Sequence, residues 1–197
     1  NQLVLGLSQY NLDHSYSQNS TSVIPYQWNA PGAEPYNFLN SPNPDEQYHL
    51  PVRVVNDADA AGYAEVHYGA AAGRDGLVMV LTLGTGIGSV LVMDGVLVPN
   101  TELGHVELDG RDAESHASSG VFERENLSWE EWASRLQRYF SHMEMLFSPE
   151  VFIVGGGISK KSKKFLPLIE TRAPIIPAEL QNTAGIVGSA LLAAQDA

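Results

Sequence analysis

The chain has 197 residues, 44% of them hydrophobic, no cysteine and a formal net charge of −12. That is enough apolar content for one core-bearing domain. It excludes disulfides, thiolate catalysis and cysteine-held zinc, and it disfavours a broad basic face for nucleic acid.

Composition changes near residue 51. Residues 1–50 contain no Lys or Arg, the first being Arg53. Within them, 3–7 reads as a short strand. Residues 11–43, dense in Asn, Ser, Pro and Tyr, read as irregular, because prolines at 25, 31, 35, 42 and 44 forbid a long helix. The Asn19-Ser20-Thr21 sequon has meaning only in a secreted protein. The expected division is therefore 1–50, an irregular segment, and 51–197, an α/β unit.

From residue 51 the pattern is regular. Residues 52–55 read as a buried strand and 59–68 as a helix ending near Gly69. A continuous apolar strand spans 77–83, and a glycine loop spans 84–88. Apolar runs at 89–93 and 96–98 flank Asp94-Gly95, the strongest short-range hairpin signal. Residues 129–147 form an amphipathic helix with Trp129, Trp132, Leu136, Tyr139, Phe140, Met143 and Phe147 on one side. A strand at 151–154 leads through three glycines into a helix from about 160. A strand at 174–177 and a helix at about 183–194 complete the chain. No run approaches the ~18 apolar residues of a membrane span. The start, Asn1-Gln2-Leu3-Val4, lacks the features of a signal peptide. The expectation is a cytoplasmic protein with no membrane partner.

Four stretches carry chemistry. In Val54-Val55-Asn56-Asp57-Ala58-Asp59, a strand ends on Asn-Asp and a helix opens at once. Asp57 is a ready N-cap, and it can also take a proton from a substrate hydroxyl that Asn56 orients. Asp59 is the rival base, expected to point elsewhere. Leu83-Gly84-Thr85-Gly86-Ile87-Gly88 reads either as a phosphate-binding turn, with Thr85 adding a hydroxyl, or as a plain hairpin turn. It lacks the spacing of a dinucleotide fingerprint. Asn100-Thr101-Glu102-Leu103-Gly104-His105 offers a carboxylate and an imidazole to one polyol. Glu114, by composition alone, reads as a surface charge. Val154-Gly155-Gly156-Gly157-Ile158-Ser159 allows close approach of a ligand or simply makes a tight turn. Lys160, Lys161, Lys163 and Lys164 follow in the first turns of the expected helix. Cations there oppose the macrodipole by ~0.3–1 kcal/mol each. Either an anionic ligand or a solvated lysine face accounts for them.

Five ordered segments together resemble the polyphosphate glucokinase branch of the ROK sugar-kinase family. They are Val55 to Gly62, Leu83 to Gly88, Pro99 to His105, Val154 to Ser159 and Gln181 to Gly188. The resemblance covers residues 51–197. It implies an α/β fold of the actin-like ATPase (ribonuclease H-like) type, mainly its C-terminal domain, with the sugar in an interdomain cleft. It casts Asp57 as general base on the sugar 6-hydroxyl, and Asn56, Glu102, His105 and Glu114 as sugar contacts. Gly84, Thr85 and Gly86 resemble the second phosphate loop, and Gly155, Gly156 and Gly157 the nucleotide-side loop. The four lysines are read as polyphosphate contacts, because they misfit the helix dipole. The missing cysteine-rich zinc motif is as expected of this branch.

The implied activity is phosphorylation of glucose, or mannose, by polyphosphate or ATP with Mg²⁺. A homodimer is implied, and the Trp129, Trp132 and 143–147 face is a candidate interface. One departure stands out. The family's opening Asp-x-Gly-Gly-Thr loop, which holds the first phosphate and magnesium, has no counterpart in residues 1–50. No metal ligand can be named, and the alternative reading is a sugar-binding fragment without turnover.

Overall fold

The computed structural model describes residues 3–7 and 52–195. In chain order the first elements are β1 (Leu3–Leu7), β2 (Val52–Asn56), α1 (Asp57–Tyr68), β3 (Leu77–Leu83), β4 (Ile87–Met93) and β5 (Val96–Val98). A two-residue hairpin follows, β6 (Glu107–Leu108) and β7 (Arg111–Asp112). Next come α2 (Ala113–Ala117), α3 (Ser119–Arg124), α4 (Trp129–Phe147), β8 (Val151–Gly155), β9 (Ile175–Pro177) and α5 (Ala184–Gln195). The irregular reading of 11–43 and the sequon at Asn19 lie outside the described residues.

A strand that is apolar at nearly every position must be covered on both faces. β3 is such a strand, and it sits at the centre of a five-stranded sheet in the order β5-β4-β3-β8-β9. β4 and β5 run antiparallel to their neighbours, while β3, β8 and β9 are parallel. Strand alternation sorts the side chains into two layers. Met79, Leu81, Leu83, Phe152 and Val154 face α4, where Trp132, Leu136, Tyr139, Phe140 and Met143 are fully buried. Val78, Val80, Val90, Val92, Val151 and Ile153 face the opposite way, toward Ala58, Ala70 and Ala71.

α4 starts where its sequence says it must. Ser128 and Glu131 form a reciprocal capping box, Glu131 N donating to Ser128 Oγ at 3.2 Å and Ser128 N to Glu131 Oε2 at 2.8 Å. α1 is a small-residue helix and lies close to its neighbours. A Cβ on Gly188 of α5 would overlap the Ala60 carbonyl, so the α1–α5 contact needs glycine there. β1 and β2 form a separate parallel pair, Leu3 opposite Val52 through Leu7 opposite Asn56.

Three expectations change. The cap of α1 is Asn56, not Asp57: Asn56 Oδ1 accepts from Ala58 N at 2.8 Å and Asp59 N at 3.4 Å. Asp57 is then the first helical residue. The segment after β8 is not an α-helix. Gly157–Lys164 forms 3₁₀ turns broken at Lys161, and buried Phe165 stacks on the Trp129 ring just beyond. The four lysines therefore do not face an α-helix macrodipole. Finally, Trp132 and Met143 belong to the core and cannot form a dimer face, whereas Met145 and Leu146 on α4 are exposed.

Candidate active site

Parallel strands leave their ligands at their carboxyl ends. Here the ends of β2, β3 and β8 open onto one cleft of about 540 Å³. Its lining brings together Asn56, Asp57, Gly84, Thr85, Gly86, Glu102, Glu114 and Gly156. These come from four of the stretches singled out in the sequence and from Glu114.

Each is held by local structure. Asn56 caps α1 with its oxygen, which leaves its amide to donate to Glu102 Oε1 at 3.2 Å. The Glu102 segment is pinned from below. Asp59 Oδ2 accepts from Asn100 N at 2.8 Å. Buried Ser89 donates to the Thr101 carbonyl at 2.9 Å and accepts from Leu103 N at 2.8 Å. Glu114 lies in the first turn of α2, where a carboxylate suits the helix dipole. Its Oε2 accepts from Ile87 N at 2.9 Å, so it is half-buried and engaged rather than a surface charge. A Cβ on Gly86 would overlap that carboxylate.

The glycine loop is a hairpin turn, one of the two readings the sequence left open, and it faces the cleft. It connects the antiparallel β3 and β4, with Gly84 N donating to Gly86 O at 3.0 Å, and it also lines the cleft. The start of α3 grips it: Ser119 Oγ and Gly120 N both donate to the Gly84 carbonyl, at 2.7 and 3.0 Å. Gly156 has φ +83°, and a Cβ there would overlap the Leu83 backbone, so only glycine fits this wall.

Burial raises the pKa of Asp57 above the ordinary carboxylate value; the Ala58 and Asp57 backbone N–H groups pull it down, and the Asp59 charge adds to the rise. Asp57 presents exposed surface because the cleft is open, yet the surrounding walls still strip it of water. Asp59 is also raised, by burial, against the hydrogen bond from Asn100. It does not line the cleft, and its second oxygen has no hydrogen-bond partner.

Other expected residues lie outside the lining. His105 donates from Nδ1 to Asp112 Oδ2 at 2.8 Å. Gly155 and Gly157 flank the cleft wall without lining it. Lys160, Lys161, Lys163 and Lys164 are exposed, with the Lys161 and Lys164 ammonium groups 6.0 and 5.5 Å from the centre of the Trp129 ring. The sequence reading missed Thr82, Ser115, Ser118 and Arg124, which do line it. Ser118-Ser119-Gly120 carried an N-cap signal that pointed to α3, and Arg124 ends that helix. Arg124 is the one cation among the described lining residues, against the carboxylates of Asp57, Glu102 and Glu114.

The ROK family profile matches residues 39–123. A polyphosphate glucokinase of Mycobacterium tuberculosis (strain ATCC 25618 / H37Rv) is 50% identical over 145 residues, which are 74% of this chain and 55% of that protein. The crystal structure of an inorganic polyphosphate/ATP-glucomannokinase from Arthrobacter sp. strain KM superposes with a TM-score of 0.78 at 49% identity, covering 98% of this chain and 72% of that one. A ROK family glucokinase from Streptomyces griseus, in complex with glucose and AMPPNP, gives a TM-score of 0.63 at 25% identity, over 77% of this chain and 70% of that one. The sheet, its covering helices and the cleft at the strand ends define an actin-like ATPase fold. The chain belongs to the ROK family. It spans about half the length, 55%, of the curated relatives it matches.

Proposed function

We propose that the chain carries the sugar side of a kinase that phosphorylates glucose, or its epimer mannose, at the 6-hydroxyl, with polyphosphate or ATP as donor. The observation that supports this most is the meeting of Asn56, Asp57, Glu102 and Glu114 with the Gly84–Gly86 loop in one cleft. Carboxylates and an amide are the groups that hold a polyol, and a glycine turn is what a phosphoryl group approaches.

In this reading, Asn56, Glu102 and Glu114 hold the sugar hydroxyls, with His105, steadied by Asp112, at the rim. Asp57 accepts the 6-hydroxyl proton as that oxygen bonds to the terminal phosphorus. The bond from phosphorus to the bridging oxygen breaks, and the donor leaves one phosphoryl group shorter. Burial, which makes the Asp57 carboxylate more basic, favours the transfer. Backbone N–H groups around Thr85 and the Arg124 guanidinium face the transferred group, where most of the catalytic work is positioning and charge stabilisation. The exposed lysines at 160, 161, 163 and 164 contact the trailing polyphosphate, and Gly155 to Gly157 form the donor-side wall. Among the described residues no group of three or more His, Asp or Glu side chains is arranged to hold a metal ion. The described residues do not make a magnesium cage of their own.

A second reading, sugar binding without turnover, is favoured by one observation: no Asp-x-Gly-Gly-Thr loop occurs in the 197 residues. One assay separates the two. Glucose 6-phosphate is measured with Mg²⁺ and either polyphosphate or ATP, alongside glucose binding by calorimetry. Turnover supports the kinase. Binding without turnover supports the second reading, and loss of both contradicts the whole assignment of the cleft.

A further inference from the structure

A second concavity, of about 370 Å³, lies on the other side of α2. Glu114 and Ser115 of that helix line the cleft, whereas Ala113, His116 and Ala117 line this pocket, as helical spacing requires of opposite faces. Its floor is apolar, made of the buried Leu108, Ala113, Ala117 and Tyr139. Its rim is cationic. Arg111 comes from β7, Arg135 and Arg138 from α4, with His116 beside them and Asp109 the lone carboxylate of the lining. Three of eleven Lys and Arg in a chain of net charge −12 thus surround one depression, a density that an acidic surface does not produce by default.

Two of the three guanidinium groups are held in fixed orientation. Arg138 donates through Nε and Nη2 to the two Asp109 oxygens, each at 2.9 Å. Arg135 pairs with Glu125 at 2.8 Å and donates to the His116 carbonyl at 3.1 Å. Each retains further N–H donors, since a guanidinium carries five. The Arg111 side chain has no carboxylate partner among the described residues. Asp109 answers Arg138, and Glu125 and Glu131 answer Arg135, which leaves the Arg111 guanidinium as the unpaired charge of the rim among the described residues. The imidazole responds to that field. Its pKa is lowered by burial first and then by the charges of Arg135 and Arg111, with Glu125 and Asp109 acting the other way.

We propose that this pocket is a second anion site, in which Arg111, Arg135 and Arg138 take a phosphate-bearing anion, either inorganic phosphate or a short polyphosphate. It is distinct from the cleft and does not rest on the activity proposed above. Planar guanidinium forks match phosphate oxygens in pairs, and prior tethering lowers the entropy lost when the anion arrives. The groups facing His116 are Asp109 and Arg111 from the β6–β7 hairpin, Glu125 from the turn after α3, and Arg135 and Arg138 from α4. A bound anion offsets the arginines and favours the imidazolium.

The test is a histidine NMR titration of the full chain without glucose, at constant ionic strength, with the His116 signal assigned by His116→Gln. Chloride, inorganic phosphate and tripolyphosphate are compared. The expected result is a rise in the His116 pKa of about half a unit or more with phosphate or tripolyphosphate over chloride. Arg111→Ala should remove most of the rise, Arg111→Lys should keep part of it, and Arg124→Ala in the cleft should leave it intact. A response to phosphate identifies a compact oxyanion, and one confined to tripolyphosphate identifies a chain. Equal thermal midpoints establish that the variants are folded. A His116 titration identical in all three salts overturns the proposal, and so does a rise that survives undiminished in Arg111→Ala.

Discussion

Asp57 and Asp59 stand two residues apart and live in different surroundings. Asp57 lines the cleft, while Asp59 is 4% exposed and holds Asn100 N–H from beneath. Burial raises both pKa values, so each group binds its proton more tightly folded than unfolded. Their contribution to stability is thus present below the unfolded value, about 3.8, and is lost as pH rises through the raised folded value. Asp57→Asn escapes that loss. Its thermal midpoint relative to the parent should rise from about pH 4 to about pH 7, even as activity falls; a constant difference across that range would contradict the burial argument. Asp59→Ala strands the Asn100 N–H, and a denaturant melt should show a cost of roughly 1–3 kcal/mol. The sequence carried Asn56-Asp57 as a functional pair but assigned the cap to the wrong partner. Both residue types cap well, and the choice between them depends on where the helix opens, at Asp57 rather than at residue 59.

Elements with strong local patterns were legible. β3 and α4 lie where their apolar patterns predicted, and Asp94-Gly95 turns the β4–β5 hairpin with both residues at positive φ. The segment after β8 was not legible, since its break at Lys161 and its approach to Trp129 depend on tertiary packing around Phe165. The two short helices α2 and α3, which supply Glu114 and Arg124 and share Ser118 as the cap between them, were not read because five and six residues make too little periodicity. A buried carboxylate in α1 also escaped notice. Glu65 is 1% exposed and accepts from Ala70 N and Leu180 N, each at 2.8 Å, and from Glu179 N at 3.3 Å. It ties the C-terminal turn of α1 to the chain that enters α5. Glu65→Gln sets an amide donor against backbone donors and should destabilise by about 1.5–3 kcal/mol, read from denaturant melts. A neutral result would mean that the clamp is dispensable.

At the scale of the molecule, a net charge of −12 opposes the polyanionic donor of the proposed function, so in that reading local cations draw it in. The exposed lysines at 160, 161, 163 and 164 are the cluster proposed for this, outside the lining of the cleft yet only a few residues beyond its Gly156 wall. Changing all four to Ala should raise the KM for polyphosphate several-fold at low salt and leave the KM for ATP nearly unchanged. Equal effects on both donors, or none, would remove the lysines from the donor path. Four of the five segments that resembled the family in sequence line one cleft, and the fifth, Gln181 to Gly188, packs α5 against α1 through Gly188; local patterns could not have established this singly.

In the proposed function, Asp57 removes the proton from the sugar hydroxyl. The most direct test of that step is the rate of glucose 6-phosphate formation by Asp57→Asn, with glucose affinity measured on the same preparation. The prediction is a fall in kcat of roughly 10²–10⁴-fold with glucose affinity held within a few-fold. An unchanged kcat, or a fall confined to Asp59→Asn, would contradict it.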